Sequence, residues 1–153
     1  MKRITNRRAY RDYDILKTIE AGIKLTGSEA KSVRSGRAKL SGAYVKIIDG
    51  QPKLINLHIP HYQNQPDLPA EDRTRQLLLS KKQIAEWSKQ NETKGIAIVP
   101  LALYTRHNLV KIELGLGKGR REYEKRARVQ KRQFERGIAR QLKHRTVGRK
   151  PGE

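Results

Sequence analysis

The chain has 153 residues, 35 of them Lys or Arg and 15 Asp or Glu, for a formal net charge of +20. It holds no Cys, which excludes disulfides, thiolate nucleophiles and Cys-ligated zinc and fits a reducing compartment. No run approaches the ~18 apolar residues of a membrane span, and the basic N-terminus lacks the apolar stretch of a secretory signal. A charge of this size points to a polyanionic partner, nucleic acid before an anionic membrane surface.

In chain order, Asn6-Arg7-Arg8-Ala9-Tyr10-Arg11 is a first basic group. Tyr13 to Leu25 is rich in β-branched and apolar residues and reads as a strand. Thr26 and Glu29 have capping-box spacing. They predict a short helix that runs to about Ser35 and stops at Gly36, a C′ glycine. Lys31 and Arg34 share one face of that helix, and Arg37 and Lys39 follow it, making a second basic group. From Ala43 to Asp49, Ala43, Val45 and Ile47 alternate with Tyr44, Lys46 and Ile48. Asp49-Gly50 is a hairpin signal, and Pro52 restricts the returning strand to an edge or strand-start position there. That strand runs from Lys53 to Ile59, with Ile55, Leu57 and Ile59 expected on one face. Residues 60–72 hold three of the six prolines and read as a long loop.

Leu77-Leu78-Leu79 is a short buried segment. Ser80 and Gln83 form a second capping box, opening a helix with Ile84 and Trp87 inward. Ile96 to Tyr104 is strand-like, Thr105 to Asn108 a turn. Val110, Ile112, Leu114 and Leu116 then alternate as a half-buried strand.

This makes five or six strands with two short helices. A mainly β sheet of that size, joined by hairpins, closes most naturally into a small barrel, because closure removes exposed edges. An oligonucleotide-binding-type barrel is one such solution, and the pattern alone does not choose the topology. The glycine-rich Gly115-Leu116-Gly117-Lys118-Gly119 reads as a boundary between a body, residues 1–117, and a basic tail, residues 118–153. Residues 118–150 carry 14 Lys and Arg against three Glu. Tyr123, Ala127, Phe134, Ile138 and Leu142 trace one thin apolar stripe on a helix. So narrow a stripe buries little, and like charges at i,i+4 repel. A phosphate-rich surface would favour ordering the tail by neutralisation and counterion release. The competing readings are a solubilising tail and a membrane-surface helix, the latter weakened by a single Phe and no Trp.

Catalytic signals are poor, and no enzyme is expected. His58 and His61 do not share a helix face, so no metal site is expected there. Gly115-x-Gly117-x-Gly119 follows a strand, but no Gly-Lys-Ser/Thr follows it, so it is not a P-loop, and no βαβ unit completes a dinucleotide fold. No nucleophile elbow is present. Cofactors are expected to be none. Glu20, in a strand between apolar neighbours, is the one acidic residue that stands out.

Taken together, Asn6-Arg7-Arg8-Ala9, Glu20-Ala21-Gly22-Ile23-x-Leu25-x-Gly27-x-Glu29-x-Lys31-Ser32-x-Arg34-x-Gly36, Ala43-Tyr44, Leu77-Leu78-Leu79, Val99-Pro100-Leu101-x-Leu103-Tyr104 and Leu114-Gly115-Leu116-Gly117-Lys118-Gly119 resemble the small protein B (SmpB) family, partners of transfer-messenger RNA. The resemblance spans roughly residues 6–145. It implies an oligonucleotide-binding-type barrel with flanking helices, a cytoplasmic protein that makes and breaks no bond. The implied partners are the tRNA-like domain of transfer-messenger RNA and the stalled ribosome, with no membrane and no small-molecule substrate. The tail would become a helix in the empty decoding centre and mRNA path.

Carried over by position, Glu20 and Leu78 fall where the family's RNA-binding face is sensitive. Asn6, Arg7, Arg8, Lys31, Arg34 and Arg37 would be phosphate or sugar contacts, which position RNA without reading its sequence. In the tail the resemblance marks Lys118, Arg120, Arg121, Tyr123, Lys125, Arg126, Lys131 and Arg132. The chain departs from the family pattern at Ser80 and at Ala70-Glu71, and the 60–72 loop matches poorly. A ribosomal protein with a basic extension and an RNA-modifying enzyme are the alternative classes.

Overall fold

A computed structural model describes residues 2–62, 69–120 and 136. The chain divides into two units, Met1–Gly119 and Arg120–Glu153, and the elements below belong to the first. They are β1 (Ile4–Thr5), α1 (Arg7–Asp12), β2 (Tyr13–Ile23), α2 (Gly27–Arg34), β3 (Tyr44–Ile48), β4 (Gln51–Ile55), β5 (Arg75–Leu78), α3 (Lys81–Asn91), β6 (Ile96–Arg106) and β7 (Leu109–Gly119).

The sheet is antiparallel, ordered β1-β6-β3-β4-β5-β2-β7, and β6 also pairs with β7. Strands β6-β3-β4-β5-β2-β7 therefore form a closed ring, with β1 paired alongside β6. This is the small barrel expected from the hairpin pattern. The lightest seam is β3–β6, registered at the single pair Val45↔Ile98. The ring is filled by Leu54, Leu57, Leu103, Ile112 and Leu114, each fully buried. Each such side chain stabilises the fold by about 1.5–3 kcal/mol relative to exposure.

Both capping boxes form. The Thr26 side chain accepts from the Glu29 N–H and the Glu29 carboxylate accepts from the Thr26 N–H, and Ser80 and Gln83 do the same for α3. Helix α2 ends at Ser35, and Gly36 follows at φ +78°, a conformation that glycine adopts without Cβ strain. Asp49 and Gly50 both have positive φ, as a type I′ hairpin requires. Trp87 of α3 is buried against the barrel, with Ile84 half-buried.

Four local expectations change. Asn56 adopts φ 64°, which ends β4 and reverses its phase. Leu54, not Ile55, joins Leu57 and Ile59 in the core. Only His107 and Asn108 form the β6–β7 turn, since β6 runs to Arg106. Helix α1 was not foreseen: Asn6 caps it, and its charged sequence shows no apolar period. Finally, Gly115, Gly117 and Gly119 are strand, not linker. A Cβ at Gly115 would stand 2.8 Å from Leu101 Cδ1, and one at Gly117 2.8 Å from Tyr13 Cβ. These glycines make room for side chains of neighbouring strands.

Candidate nucleic-acid interface

The site begins with a buried ion network that fixes α2. Glu29, 8% exposed, accepts from Nε of Arg75 at 2.7 Å and Nε of Arg73 at 3.1 Å. Burial by itself would raise the Glu29 carboxyl. The hydrogen bonds from Arg73, the Thr26 N–H and Arg75 overcome that and hold it below its usual value. Arg75 is fully buried and also donates to the carbonyls of Leu57, Arg73 and Glu71. Burial lowers its guanidinium while Glu29 opposes the shift. The Arg73-x-Arg75 pair thus clamps helix α2 to the barrel. Its Lys31 and Arg34 are left exposed on the surface.

From there one strip of surface can be followed residue by residue. Arg34 donates to the Asn108 carbonyl at 2.7 Å, reaching the β6–β7 turn. Arg34, Thr105, His107 and Asn108 line an open groove of about 610 Å³. In the same hairpin Arg106 donates to Oε2 of Glu20 at 3.0 Å. Glu20 stands directly opposite Glu113 across β2–β7. Two carboxylates in that register repel, and each has its own arginine: Arg106 for Glu20, Arg3 for Glu113. Arg3 also lies 5.0 Å from the centroid of the Tyr104 ring. Burial raises the Tyr104 phenol above its ordinary value, and the nearby Glu20 and Glu113 carboxylates push it further up.

Two residues along β2, Gly22 pairs with Leu78 of β5. Leu77 points into the core and Leu78 outward, 49% exposed. The structure therefore brings Arg34, Glu20 and Leu78 to one end of the barrel. Lys31 faces solvent on α2, with its ammonium 5.9 Å from the Tyr62 ring. Arg37 donates to the His61 carbonyl at 3.4 Å.

The N-terminal group does not join them. Arg7 and Arg8 are exposed on α1, beside the far end of β2. Arg8 pairs with Asp12 at 3.5 Å. Asn6 is 4% exposed, and its side chain is already engaged. Its Nδ2 donates to the carbonyls of Pro100 at 2.8 Å and Leu40 at 3.4 Å, and its Oδ1 accepts from the Ala9 N–H. Asn6, expected as an RNA contact, caps α1 and ties it to β6, where the register shifts between Pro100 and Ala102. Lys118, expected in the tail, is an exposed residue of β7 opposite Asp14 and Ile96. Arg120 is half-buried just past β7. Arg121, Tyr123, Lys125, Arg126, Lys131 and Arg132, and the apolar stripe, lie outside the described residues. Ser80 is the cap of α3, and Glu71 is shared by His58 at 3.2 Å and His61 at 3.5 Å. Sequence reading missed Arg3, Arg106 and Glu113, because only the barrel register places them around Glu20.

Comparison with known proteins shows the family. The family described as SmpB protein matches residues 3–144. A protein of Streptococcus agalactiae named SsrA-binding protein is 45% identical over 140 residues, covering 91% of this chain and 90% of its own. Proteins of that name from Microcystis aeruginosa and Roseiflexus sp. are each 43% identical, covering 90% and 92% of this chain and 91% and 90% of their own. A chain from a solved structure described as "tmRNA-SmpB: a journey to the center of the bacterial ribosome" superposes with a TM-score of 0.66 at 38% identity, over 78% of this chain and 85% of that one. With nearly its whole length matched and the same barrel formed, the chain belongs to the SmpB family.

Proposed function

We propose that this chain binds the tRNA-like domain of transfer-messenger RNA and delivers it to stalled ribosomes for trans-translation, acting in the cytoplasm. The observation that carries this reading is the convergence of Arg34, Glu20 and Leu78 on one end of the barrel in a member of this family. Exposed Lys31, Arg34 and Arg37 supply phosphate neutralisation without sequence readout. The Glu20 carboxylate, held by Arg106, accepts from a base edge or a 2′-hydroxyl, the group that marks RNA. Leu78 offers an apolar contact to a base or sugar. In this reading the basic residues 118–153 occupy the empty decoding centre and mRNA path. The protein makes and breaks no covalent bond and takes no cofactor.

The test is a salt-titrated binding assay comparing the tRNA-like domain with an RNA duplex of equal length. The expected result is tight binding to the tRNA-like domain that survives moderate salt while duplex binding is lost. Equal binding with equal salt slopes would replace shape recognition by charge alone and favour a ribosomal or non-specific RNA-binding protein.

A further inference from the structure

The loop in which the sequence departs from its family is held together by one carboxylate. The limbs at its two described ends, residues 58–62 and 69–73, are joined by Glu71. The Glu71 carbonyl accepts from the Ile59 N–H at 2.9 Å and from Nη2 of the buried Arg75 at 2.9 Å. Its backbone is thus anchored to the clamp that holds Glu29. Its carboxylate reaches the other limb. There Oε1 accepts from the His61 N–H at 3.1 Å and lies 3.5 Å from His61 Nδ1, and Oε2 lies 3.2 Å from His58 Nε2. The remaining ring nitrogen of His61, Nε2, lies 2.8 Å from the Pro69 carbonyl. A carbonyl only accepts, so this nitrogen donates. His61 is therefore gripped at its backbone and at both ring nitrogens.

What this grip positions is the basic group around α2. Pro60, His61 and Tyr62 each meet one member of it or its buried anchor. The Pro60 carbonyl accepts from Oγ of the fully buried Ser32 at 2.6 Å. The His61 carbonyl accepts from Nη1 of Arg37 at 3.4 Å, and the Tyr62 ring lies 5.9 Å from the Lys31 ammonium. Long exposed side chains must be ordered when they bind, and a surface that orders them beforehand lowers that cost. The Glu71 side chain is 37% exposed, and ion pairs at such positions contribute little to folding. We propose that Glu71 is a positioning residue for RNA binding. Through His61 it fixes residues 60–62, and these hold Lys31 and Arg37 ready for phosphate. The sign of its effect is distinctive. A carboxylate beside a phosphate-binding surface repels RNA, so on charge alone its removal would tighten binding. As a positioning residue, its removal weakens binding. The inference rests on Lys31 and Arg37 being phosphate contacts, as proposed above.

The test uses the full chain and the tRNA-like domain of transfer-messenger RNA. Glu71→Ala should weaken binding about tenfold, on the scale of re-ordering two long side chains, with a melting temperature close to that of the parent. Glu71→Gln removes the same charge, but its amide oxygen still accepts from the His61 N–H, so it should recover part of the loss. In a Lys31→Gln/Arg37→Gln background, Glu71→Ala should have no further effect. Unchanged or tighter binding by Glu71→Ala, or an equal loss in that background, would overturn the inference. A fall in melting temperature as large as that of Arg75→Met would make Glu71 a folding residue and overturn it too. Hydrogen exchange reads the grip without RNA: the His61 amide should exchange faster in Glu71→Ala, and unchanged exchange there counts against the inference. If the parent chain does not prefer the tRNA-like domain over duplex, the proposed function fails, while the exchange result and the same variants on duplex RNA still decide the role of Glu71.

Discussion

Leu78 lies across the face of Gly22: a Cβ built on the glycine would stand 3.1 Å from Leu78 Cβ and 3.2 Å from Cδ1. The absence of a side chain at Gly22 is what lets Leu78 rest beside Glu20. Gly22→Ala should push Leu78 aside without breaking the strand. Unfolding stability should change by less than about 1 kcal/mol, since Leu78 is on the surface and can move. Affinity for the tRNA-like domain should fall, and Leu78→Asp should lower it about tenfold or more, or about 1.4 kcal/mol. Thermal melts and titrations on the same samples separate the two effects, and a lower melting temperature with unchanged affinity would contradict them.

Arg75 should be far more important for stability than for RNA binding. It is fully buried and bonded to Glu29 and three carbonyls. Removing one partner of a buried ion pair costs about 3–5 kcal/mol. Arg75→Met should therefore lower the denaturation midpoint strongly. A midpoint within error of the parent would show that Arg73 alone can satisfy Glu29.

The same network sets an acid limit. The Glu29 carboxyl is held below its ordinary value in the folded chain, so the unfolded chain binds that proton first as pH falls. Its stabilisation is complete above the ordinary glutamate value of ~4.3 and is lost as pH drops through the lower folded value. Chemical denaturation between neutral and acid pH should show this loss, and Glu29→Gln should remove this part of the pH dependence while destabilising the chain at neutral pH. A parent-like acid slope in that variant would assign the effect to other carboxyls.

Asn6 offers a direct separation of structure from contact. As the cap of α1 with two further bonds to carbonyls, Asn6→Ala should cost about 1–3 kcal/mol. The salt slope of RNA binding should not move, because no phosphate contact is lost. A reduced slope with intact stability would restore Asn6 to the interface.

Truncation after Gly119 should leave the barrel's RNA affinity largely intact and abolish peptide tagging on stalled ribosomes. The cut falls where the first unit ends. A truncated chain that no longer binds the tRNA-like domain would show that barrel and tail recognise it jointly.

Local chemistry was legible along the chain. Thr26 and Glu29 announced their capping box, Asp49-Gly50 its hairpin, and Val110 to Leu116 its inward face, because caps, tight turns and period-two alternation are settled by neighbours in sequence. The excess of Lys and Arg announced a polyanionic partner, since net charge is a sum and needs no coordinates. What the sequence could not decide is which strands close the ring and which charges meet. Pairing β2 with β7 sets Glu20 against Glu113, and the β6–β7 hairpin brings Arg106 to it from 86 residues away. The same closure turned Asn6 inward, made strand of Gly115 to Gly119, and set Lys46 against Lys53. Such pairs depend on register between distant segments, and only the packed barrel selects one register over another.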